Sequence, residues 1–460
     1  FLIKFFPLLL MSILYLTTSI LFAADINISL GESIQTAIVS SSPNDVIILS
    51  TGTYTECLDT LGKTLKIRGS SVSGTILDGS SCSSNVVNIN NGTITFEQMS
   101  FKNTNGRVFS VEEATLTLDE INISESGNDT LHGAALQVSN GSIVTIKNSR
   151  FENNGAEITS SSVKGGSIHI DDNVNLTIQN SHFTGSYAYK GGAIFALNNC
   201  SITIDNSTFE NNSSSYTGGG IMLEPSSSTS QNSLTIDSST FNDNSIDSNS
   251  NTAGAGGTIY VYRKTEVQVS NSQFSGSSST SHGGTIYLDG IQHTSIFDKV
   301  VFTNSSSKGR GGTIYAQSEG SENPINLQVS NCTFVNSEAY NFGGAIALGT
   351  AIPRGSYTSL SISSSSFYNN RTENSQDGFG GAIAVFGNWS SSNTSSEYVS
   401  ISSSDFSGNV AELRGGAFFG QNLNSLTIAT TRYTDNHVNG PSGTHNRWGG
   451  AIYIDQGDTI

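Results

Sequence analysis

The feature that most restricts the fold is a four-residue motif of the type Gly-Gly-small-Ile, which recurs along the chain. We call it the tetrad, and successive tetrads start 26 to 38 residues apart. The eleven tetrads begin at Gly133 (in a variant form), Gly165, Gly191, Gly218, Gly256, Gly283, Gly311, Gly343, Gly380, Gly415 and Gly449. A period of this length is typical of a solenoid, in which each repeat contacts only its neighbours.

A second motif alternates with the tetrad and has the form apolar-x-apolar-x-x-small-x-Phe-x-x-Asn. One copy reads ITIDNSTFENN over 202–212. Its aromatic residue most often follows a tetrad by 18 residues and precedes the next by 9, so the basic coil has 27 residues. Because apolar and polar residues alternate inside the motif, it predicts strands rather than helices. The aromatic position holds Phe101, Phe151, Phe183, Phe209, Phe241, Phe274, Phe302, Phe334, Phe367, Phe406 and Tyr433, with Ile123 substituting once.

An isolated strand of this kind leaves its backbone amides unpaired and buries little, so neighbouring coils must stack. We therefore predict an all-β fold, a single-stranded right-handed parallel β-helix of about 13 coils and roughly 60 Å in length. The expected segments are a signal peptide over 1–24, capping coils over 25–90 and β-helix repeats over 91–460. The chain starts with Phe1 rather than Met and stops inside a repeat, so we expect both ends to be truncated.

Residues that share a motif position should stack in columns. Phe151, Phe183, Phe209 and Phe241 are expected to form one internal aromatic stack. The position three residues after the aromatic is expected to be a left-handed corner, where each Asn bonds to the Asn of the next coil. The asparagines at this position are Asn154, Asn212, Asn244, Asn370, Asn409 and Asn436.

The first 24 residues have the layout of a secretory signal peptide. Lys4 precedes an apolar run from Phe5 to Leu16, and small residues follow at Ala23 and Ala24. An uncleaved anchor is the alternative. The protein is therefore expected to be extracellular or on the cell surface, in the outer membrane if it is bacterial.

The net charge limits the partners. With 20 basic and 37 acidic residues the formal charge is −17, which disfavours nucleic acid and anionic membrane surfaces. Membrane contact is expected only through an unseen C-terminal anchor or an uncleaved signal peptide. Apolar residues make up 35% of the chain, enough for a packed core.

The four cysteines do not have the spacing of a zinc site. Cys57 and Cys82 are 25 residues apart, about one coil, so a disulfide between adjacent coils is expected in a secreted chain. Cys200 and Cys332 lie about five coils apart and are expected to be free core residues.

The tetrad and the Phe-x-x-Asn motif together resemble the repeats of the polymorphic outer membrane proteins of chlamydiae. The segment IQTAIVSSSPNDVIILSTGTYTECLDTLGKTLKIRG, residues 34–69, is similar to the opening coil of pectin-lyase-like β-helix proteins. The two resemblances cover about 25–460. They imply a surface-displayed passenger protein involved in adhesion.

Catalytic, cofactor and metal sites are not expected. Hydrolases on this fold need paired carboxylates, and lyases need an acidic calcium cluster with a basic residue. Asp171 and Asp172, directly after SIHI, form the only Asp-Asp pair and are expected to be a solvated strand end. Glu112, Glu113 and the seven scattered His are expected to share no column.

One surface feature is a candidate for binding a partner. Tyr260, Tyr287 and Tyr315 each follow the tetrad Ile by one residue in consecutive coils. Because side chains alternate along a strand, these tyrosines are expected to point outward and form an exposed aromatic ladder. Such a ladder suits a sugar ring or an apolar patch, although neighbour contacts that reinforce the sheet would give the same pattern.

The expected function is that of a non-catalytic β-helical stalk in adhesion or in a surface matrix, with host-cell, glycan or matrix partners. A polysaccharide-active enzyme and a purely structural wall or coat component are the alternatives. Fifteen Asn-x-Ser/Thr sequons, including Asn91, Asn206, Asn331 and Asn388, permit glycosylation.

Overall fold

The computed structural model describes residues 23–102, 106–127, 131–155, 163–227, 229–247, 254–290, 293–317, 325–349, 358–387, 397–440 and 448–457. Nearly all of the signal peptide expected over 1–24 lies outside these residues. The described chain is a right-handed parallel β-helix with three parallel sheets, which confirms the predicted fold.

The largest sheet has 27 strands, most coils contributing two of them separated by a bend. Its strands are Asp25–Ile28, Val46–Leu49, Gly52–Tyr54, Thr64–Arg68, Thr75–Asp78, Thr93–Lys102, Thr115–Ser124, Ile143–Lys147, Arg150–Glu152, Asn175–Gln179, His182–Thr184, Ser201–Asp205, Thr208–Glu210, Asn232–Asp237, Thr240–Asn242, Thr265–Ser270, Gln273–Ser275, Thr294–Asp298, Val301–Thr303, Ile325–Ser330, Thr333–Val335, Thr358–Ser363, Ser366–Tyr368, Glu397–Ser402, Asp405–Ser407, Ser425–Ala429 and Arg432–Thr434.

The second sheet, which we call the tetrad sheet, has 14 strands and follows the tetrads in its later coils. Its strands are Leu58–Asp59, Asn85–Asn90, Arg107–Glu112, Leu136–Ser139, Ile168–Ile170, Ile194–Ala196, Ile221–Leu223, Ile259–Tyr262, Ile286–Asp289, Ile314–Gln317, Ile346–Leu348, Ile383–Phe386, Phe418–Leu423 and Ile452–Gly457. The third sheet has nine short strands, Tyr187–Lys190, Ser213–Thr217, Ser245–Ile246, Ser278–Ser279, Ser306–Ser307, Glu338–Ala339, Arg371–Thr372, Val410–Ala411 and His437–Val438.

A short helix, Ile34–Ser40, covers the N-terminal end of the coil stack and buries Ile34, Ala37 and Ile38. The Ser33 side chain accepts the Thr36 N–H at 3.1 Å, as an N-cap should. The Glu56 carboxylate accepts the Ile34 N–H at 3.0 Å. These contacts satisfy N–H groups that the first helical turn leaves free.

The interior is built from columns of identical side chains. The predicted aromatic stack is confirmed, because the ring centroids of Phe151, Phe183, Phe209 and Phe241 follow one another at 4.5, 4.8 and 5.0 Å with nearly parallel planes. The stack continues without a break to Tyr433. Ring stacking therefore connects all the coils from Phe151 to Tyr433.

The Asn ladder is present, but the expected left-handed corner is wrong by one residue. Asn212 Nδ2 donates to Asn244 Oδ1 at 3.0 Å and to Phe183 O at 3.0 Å, so its amide faces the coil interior. The positive φ belongs to the preceding residue, 53° at Asn211 and 54° at Asn369. The third position is thus reserved for buried hydrogen bonding, while the second makes the turn.

The tetrad glycines let coils approach closely. Gly191 has a φ of 65°, and a Cβ on Gly192 would lie 2.0 Å from Gly219 O in the next coil. Only glycine avoids both the strain and the clash. The pair recurs before the strands of the tetrad sheet from Ile168–Ile170 to Ile452–Gly457 and allows these coils to approach closely.

The cysteines separate into one pair and two single residues. Cys57 and Cys82 form a disulfide with their Cα atoms 5.7 Å apart. Cys200 and Cys332 are free, and burial raises the pKa of each thiol to about 12. Neither free thiol is a ready nucleophile in this state.

Candidate functional site

The outer face of the tetrad sheet carries the row of side chains in which the tyrosine ladder was predicted. Tyr260, Tyr287 and Tyr315 are paired in register on consecutive strands, and the Tyr287 and Tyr315 rings stack with centroids 5.1 Å apart. We call this column the outer row. Its members are His169, Phe195, Met222, Tyr260, Tyr287, Tyr315, Ala347, Ala384, Phe419 and Tyr453.

The expectation that the tyrosine ladder is exposed is wrong. Tyr260, Tyr287 and Tyr315 point away from the coil interior, yet they are only 9, 6 and 0% exposed. The residues directly before the tetrads lie against the row. The His282 ring is 4.9 Å from the Tyr315 ring, and Arg310 Nη1 donates to the Tyr315 hydroxyl at 3.1 Å. The outer row is therefore a second apolar core.

The covering column fills gaps that the outer row leaves. Where the row has Ala347 and Ala384, the residues before two neighbouring tetrads are Phe342 and Phe379. The Phe342 ring lies 5.5 Å from the Phe379 ring and 4.7 Å from that of Phe386. Large and small residues thus complement each other across the two columns, as in a packed core.

Several carboxylates on this face are engaged by neighbouring side chains. Asp289 accepts hydrogen bonds from the Tyr260 hydroxyl at 2.6 Å and from Gln317 Nε2 at 2.8 Å. Burial and the Asp289 charge both raise the pKa of Tyr260, so its hydroxyl remains protonated and donates. Asp455 lies 3.6 Å from the Arg414 guanidinium. These contacts indicate structural roles.

Asp171 and Asp172 lie directly after the strand Ile168–Ile170. Burial, followed by the Asp172 charge, raises the pKa of Asp171. Asp171 Oδ1 is buried and has no hydrogen-bond partner among the described residues, whereas Asp172 Oδ1 accepts Asn198 Nδ2 at 3.1 Å. Asp171 is therefore less solvated than the sequence indicated.

The other acidic candidates do not join this pair. Glu112 Oε1 accepts Asn140 Nδ2 at 2.6 Å, which anchors a turn between neighbouring coils. Glu113 has a φ of 50° and occupies the turn itself. Within the described ranges, no three His, Cys, Asp or Glu side chains are grouped as a metal site would require.

The expectation that the histidines share no column is wrong for two of them. His132 and His282 each directly precede a tetrad. In both, Nδ1 accepts the backbone N–H of the equivalent residue in the next coil, Lys164 or Arg310, at 3.1 Å. His132 also stacks on His169 of the outer row with centroids 5.1 Å apart. The sequence shows the shared position, but not the stacking across columns.

Two sequence segments, 35–209 and 131–296, match the family described as right handed beta helix region. No curated protein matches the chain. In the described part of the chain, no helix has the length and apolar character needed to cross a membrane.

Several solved structures are similar to the chain at low sequence identity. The mannuronan C-5 epimerase AlgE6 A-module of Azotobacter vinelandii has a TM-score of 0.52 and 12% identity over 80% of this chain and 94% of its own. The PL6 polysaccharide lyase Pedsa3628 of Pseudopedobacter saltans has a TM-score of 0.44 and 11% identity over 89% of this chain and 93% of its own. The surface adhesin PfbA of Streptococcus pneumoniae has a TM-score of 0.39 and 13% identity over 75% of this chain and 86% of its own. With more than half of its length matched by the family and the same coil architecture throughout the described residues, the chain belongs to the right-handed β-helix family.

Proposed function

We propose that the protein is a rigid, non-catalytic β-helical rod, secreted or held at the cell surface, that acts in adhesion or in a surface matrix. The observation that carries the proposal is that the tetrad sheet is packed on both faces. Its inner face lines the coil core and its outer row is covered by a second layer. A sheet closed on both sides is suited to maintaining a shape.

Other faces of the rod remain available to a partner. Six threonines, Thr95, Thr117, Thr145, Thr177, Thr203 and Thr235, are paired in register along the outer face of the largest sheet. Large exposed aromatics occur singly, with Tyr340 47%, Tyr398 53% and Trp448 47% exposed. Tyr and Trp are common anchors in protein interfaces, so these three replace the buried ladder as contact candidates for host-cell, glycan or matrix partners.

The resemblance of the tetrad and Phe-x-x-Asn motifs to the polymorphic outer membrane protein repeats supports a surface role. Sequons at Asn91, Asn206 and Asn331 lie on exposed left-handed turns, which suits glycosylation after secretion. The sequon at Asn388 lies outside the described residues.

A polysaccharide-active enzyme is the second candidate, and the state of Asp171 favours it. A half-buried carboxyl with a raised pKa beside a second carboxylate is an arrangement that general acids use. Asp172, whose Oδ1 accepts Asn198 Nδ2 at 3.1 Å, is the second carboxylate of the pair.

One experiment separates the two candidates. The purified chain is tested for binding to cells, matrix proteins and a glycan array, and in parallel for release of products from neutral and acidic polysaccharides. The rod proposal expects binding without turnover, and binding that Tyr398→Ser or Trp448→Ser weakens. Turnover abolished by Asp171→Asn but unaffected by Asp405→Asn would establish the enzyme instead. A chain that binds none of the partners and releases no product would contradict both.

A further inference from the structure

Arg107 is a buried cation without a carboxylate partner among the described residues. Its side chain is 7% exposed. The guanidinium donates to neutral acceptors only, His132 O at 2.9 Å, Gly133 O at 3.2 Å and Asn85 Oδ1 at 3.1 Å. Burial lowers the pKa of Arg107 to about 10, which still leaves the group charged at neutral pH. An uncompensated charge at such a position favours a counter-ion.

His132 connects Arg107 to further nitrogen donors. Besides giving its carbonyl to Arg107, it accepts the Lys164 N–H at Nδ1, so its own ring proton lies on Nε2. Its ring is half-buried and stacks on His169. The Arg107 guanidinium, the Lys164 backbone N–H and the His169 ring thus all contact His132.

Lys164 adds a charge that is only partly neutralised. Its Nζ lies 3.6 Å from Glu224, while Lys190 Nζ lies 2.6 Å from the same carboxylate. Two cations thus share one carboxylate, a balance of +1 around Glu224, and Arg107 adds a further uncompensated charge two strands away from Lys164 in a chain of net charge −17. This local excess is opposite in sign to the chain as a whole.

His169 provides an independent indication of a ligand. It is 5% exposed, and its Nδ1 has no hydrogen-bond partner among the described residues. Burial, with the neighbouring His132, Lys164 and Arg107, lowers the pKa of His169 to about 3, so the ring is neutral at pH 7. Buried ring nitrogens are rarely left unpaired in folded proteins.

We propose that Arg107, His132, Lys164 and His169, the cationic cluster, bind an oxyanion, namely a sulfate, phosphate or carboxylate group. Lys164 and Arg107 supply the charge, and the imidazole N–H groups supply directed hydrogen bonds. The group is either a free inorganic ion or a substituent of an acidic glycan. The site does not depend on the proposed role in adhesion.

The chain contains a natural comparison for this cluster. Arg310 follows His282 as Lys164 follows His132, with the same N–H to Nδ1 hydrogen bond. There, however, the guanidinium donates to the Tyr315 hydroxyl and lies 5.2 Å from the Phe342 ring centre. Lys164 Nζ likewise lies 4.5 Å from the Phe195 ring centre. The second copy differs in having Tyr315 in the outer row where the first has His169, and its guanidinium is bonded to that hydroxyl, so we do not expect it to bind an oxyanion.

The test is titration calorimetry and thermal unfolding of the whole chain with sodium sulfate and sodium phosphate, against sodium chloride at equal ionic strength. We expect saturable binding of sulfate or phosphate and a rise in Tm that chloride does not give. Lys164→Gln should weaken binding at least tenfold. Lys147→Gln, which removes an exposed partner of Asp119, and Arg310→Gln should leave binding unchanged.

Sulfated and uronic oligosaccharides distinguish the two sources. Binding tighter than that of the inorganic ion, with none for a neutral oligosaccharide, identifies a glycan substituent, and equal or weaker binding identifies the free ion. Equal Tm shifts in sulfate and chloride, or unchanged sulfate binding by a folded Lys164→Gln variant, would overturn the proposal. Cell adhesion is measured separately. A negative result for oxyanion binding therefore does not contradict the adhesion proposal, and the reverse also holds.

Discussion

Thr285 Oγ1 and Ser305 Oγ lie 2.7 Å apart inside the coil to which both residues belong. Thr285 is the third residue of a tetrad, and Ser305 occupies the position that holds the Asn ladder in other coils. The same hydroxyl pair occurs between Ser167 and Ser186, Thr258 and Ser277, and Thr313 and Ser337. In the other six of the ten coils from Gly133 to Asn436, the pair is Ala or Gly with Asn. The two positions therefore vary together.

This pairing predicts a coupled effect of mutation. Ser305→Asn overfills the coil beside Thr285 and should lower the free energy of unfolding by about 1–3 kcal/mol. Adding Thr285→Ala makes the room found in the Asn coils and should restore most of that loss. Denaturant unfolding of the four members of the cycle measures the coupling. Additive effects of the two substitutions would show that the positions are independent.

Phe209 should be among the most costly core residues to truncate. It is fully buried and stacks on both Phe183 and Phe241, so neighbouring rings cannot close the cavity. We expect Phe209→Ala to cost about 3–5 kcal/mol by denaturant unfolding. Val301→Ala, at a position 38% exposed on the same sheet, is the control and should cost far less. A loss under about 1 kcal/mol for Phe209→Ala would argue against the stack as a source of stability.

Tyr287→Ser should act on stability and not directly on binding. The side chain is 6% exposed and packed between Tyr260 and Tyr315, so its loss leaves a cavity in the outer row. We expect a cost of about 3 kcal/mol, with binding to cells or glycans retained by the folded fraction. Tyr398→Ser is the matched exposed variant, for which the reverse is expected. Loss of binding by a Tyr287→Ser variant of unchanged stability would show that the tyrosines form part of the binding surface.

The disulfide should stabilise the N-terminal coils. Cys57 and Cys82 are 25 residues apart in sequence, and a loop of that length is worth about 3–4 kcal/mol in the chain-entropy account. Peptide mapping without reduction should show this bond, with Cys200 and Cys332 as thiols. Cys57→Ser and a reducing agent should lower Tm alike, and the reducing agent should lower the Tm of Cys200→Ser but not that of Cys57→Ser. Thiols at both 57 and 82 would contradict the pairing.

Stability should fall with pH below the ordinary pKa of histidine. Burial lowers the pKa of His169 to about 3 and that of His282 to about 4, so the unfolded chain binds these protons first. Their stabilisation is complete above about pH 6.5 and is lost as pH decreases towards those values, by up to about 1.4 kcal/mol per pH unit for each group. His169→Gln and His282→Gln should each flatten the pH dependence of unfolding between about pH 4 and 6. A slope unchanged in both buried variants would contradict this account.

The coil architecture was predictable because the strand, turn and stacking rules all act along one short period. Phe151 to Phe241 are equivalent by sequence alone, and the structure places them in one stack. The burial of Tyr287 was not predictable in the same way. Alternation shows which side of a strand a residue faces, but the layer that covers it comes from positions held variously by His, Arg, Phe and Thr.

The state of the candidate sites depended on contacts between columns. His132 and His169 occupy different motif positions, and only the height of two adjacent coils brings their rings together. The position three residues after the aromatic is a related case. The sequence shows that this position holds either Ser or Asn. The reason, which is the size of the third tetrad residue about twenty positions earlier, becomes clear only when the hydroxyl pair is seen.

The hydroxyl pair of Thr285 and Ser305 closes within a single coil, whereas the Phe stack, the Asn ladder and the backbone ladders run between coils. A coil therefore carries both halves of its hydroxyl pair, whatever lies above or below it. Unequal recombination between repeats that moves a whole coil transfers a matched pair. Crossing over inside a coil, between the tetrad and the third residue after the aromatic, separates the pair. Breakpoints between the third residue after the aromatic and the next tetrad therefore keep each hydroxyl pair together, and rods of different length that arise there retain these pairs.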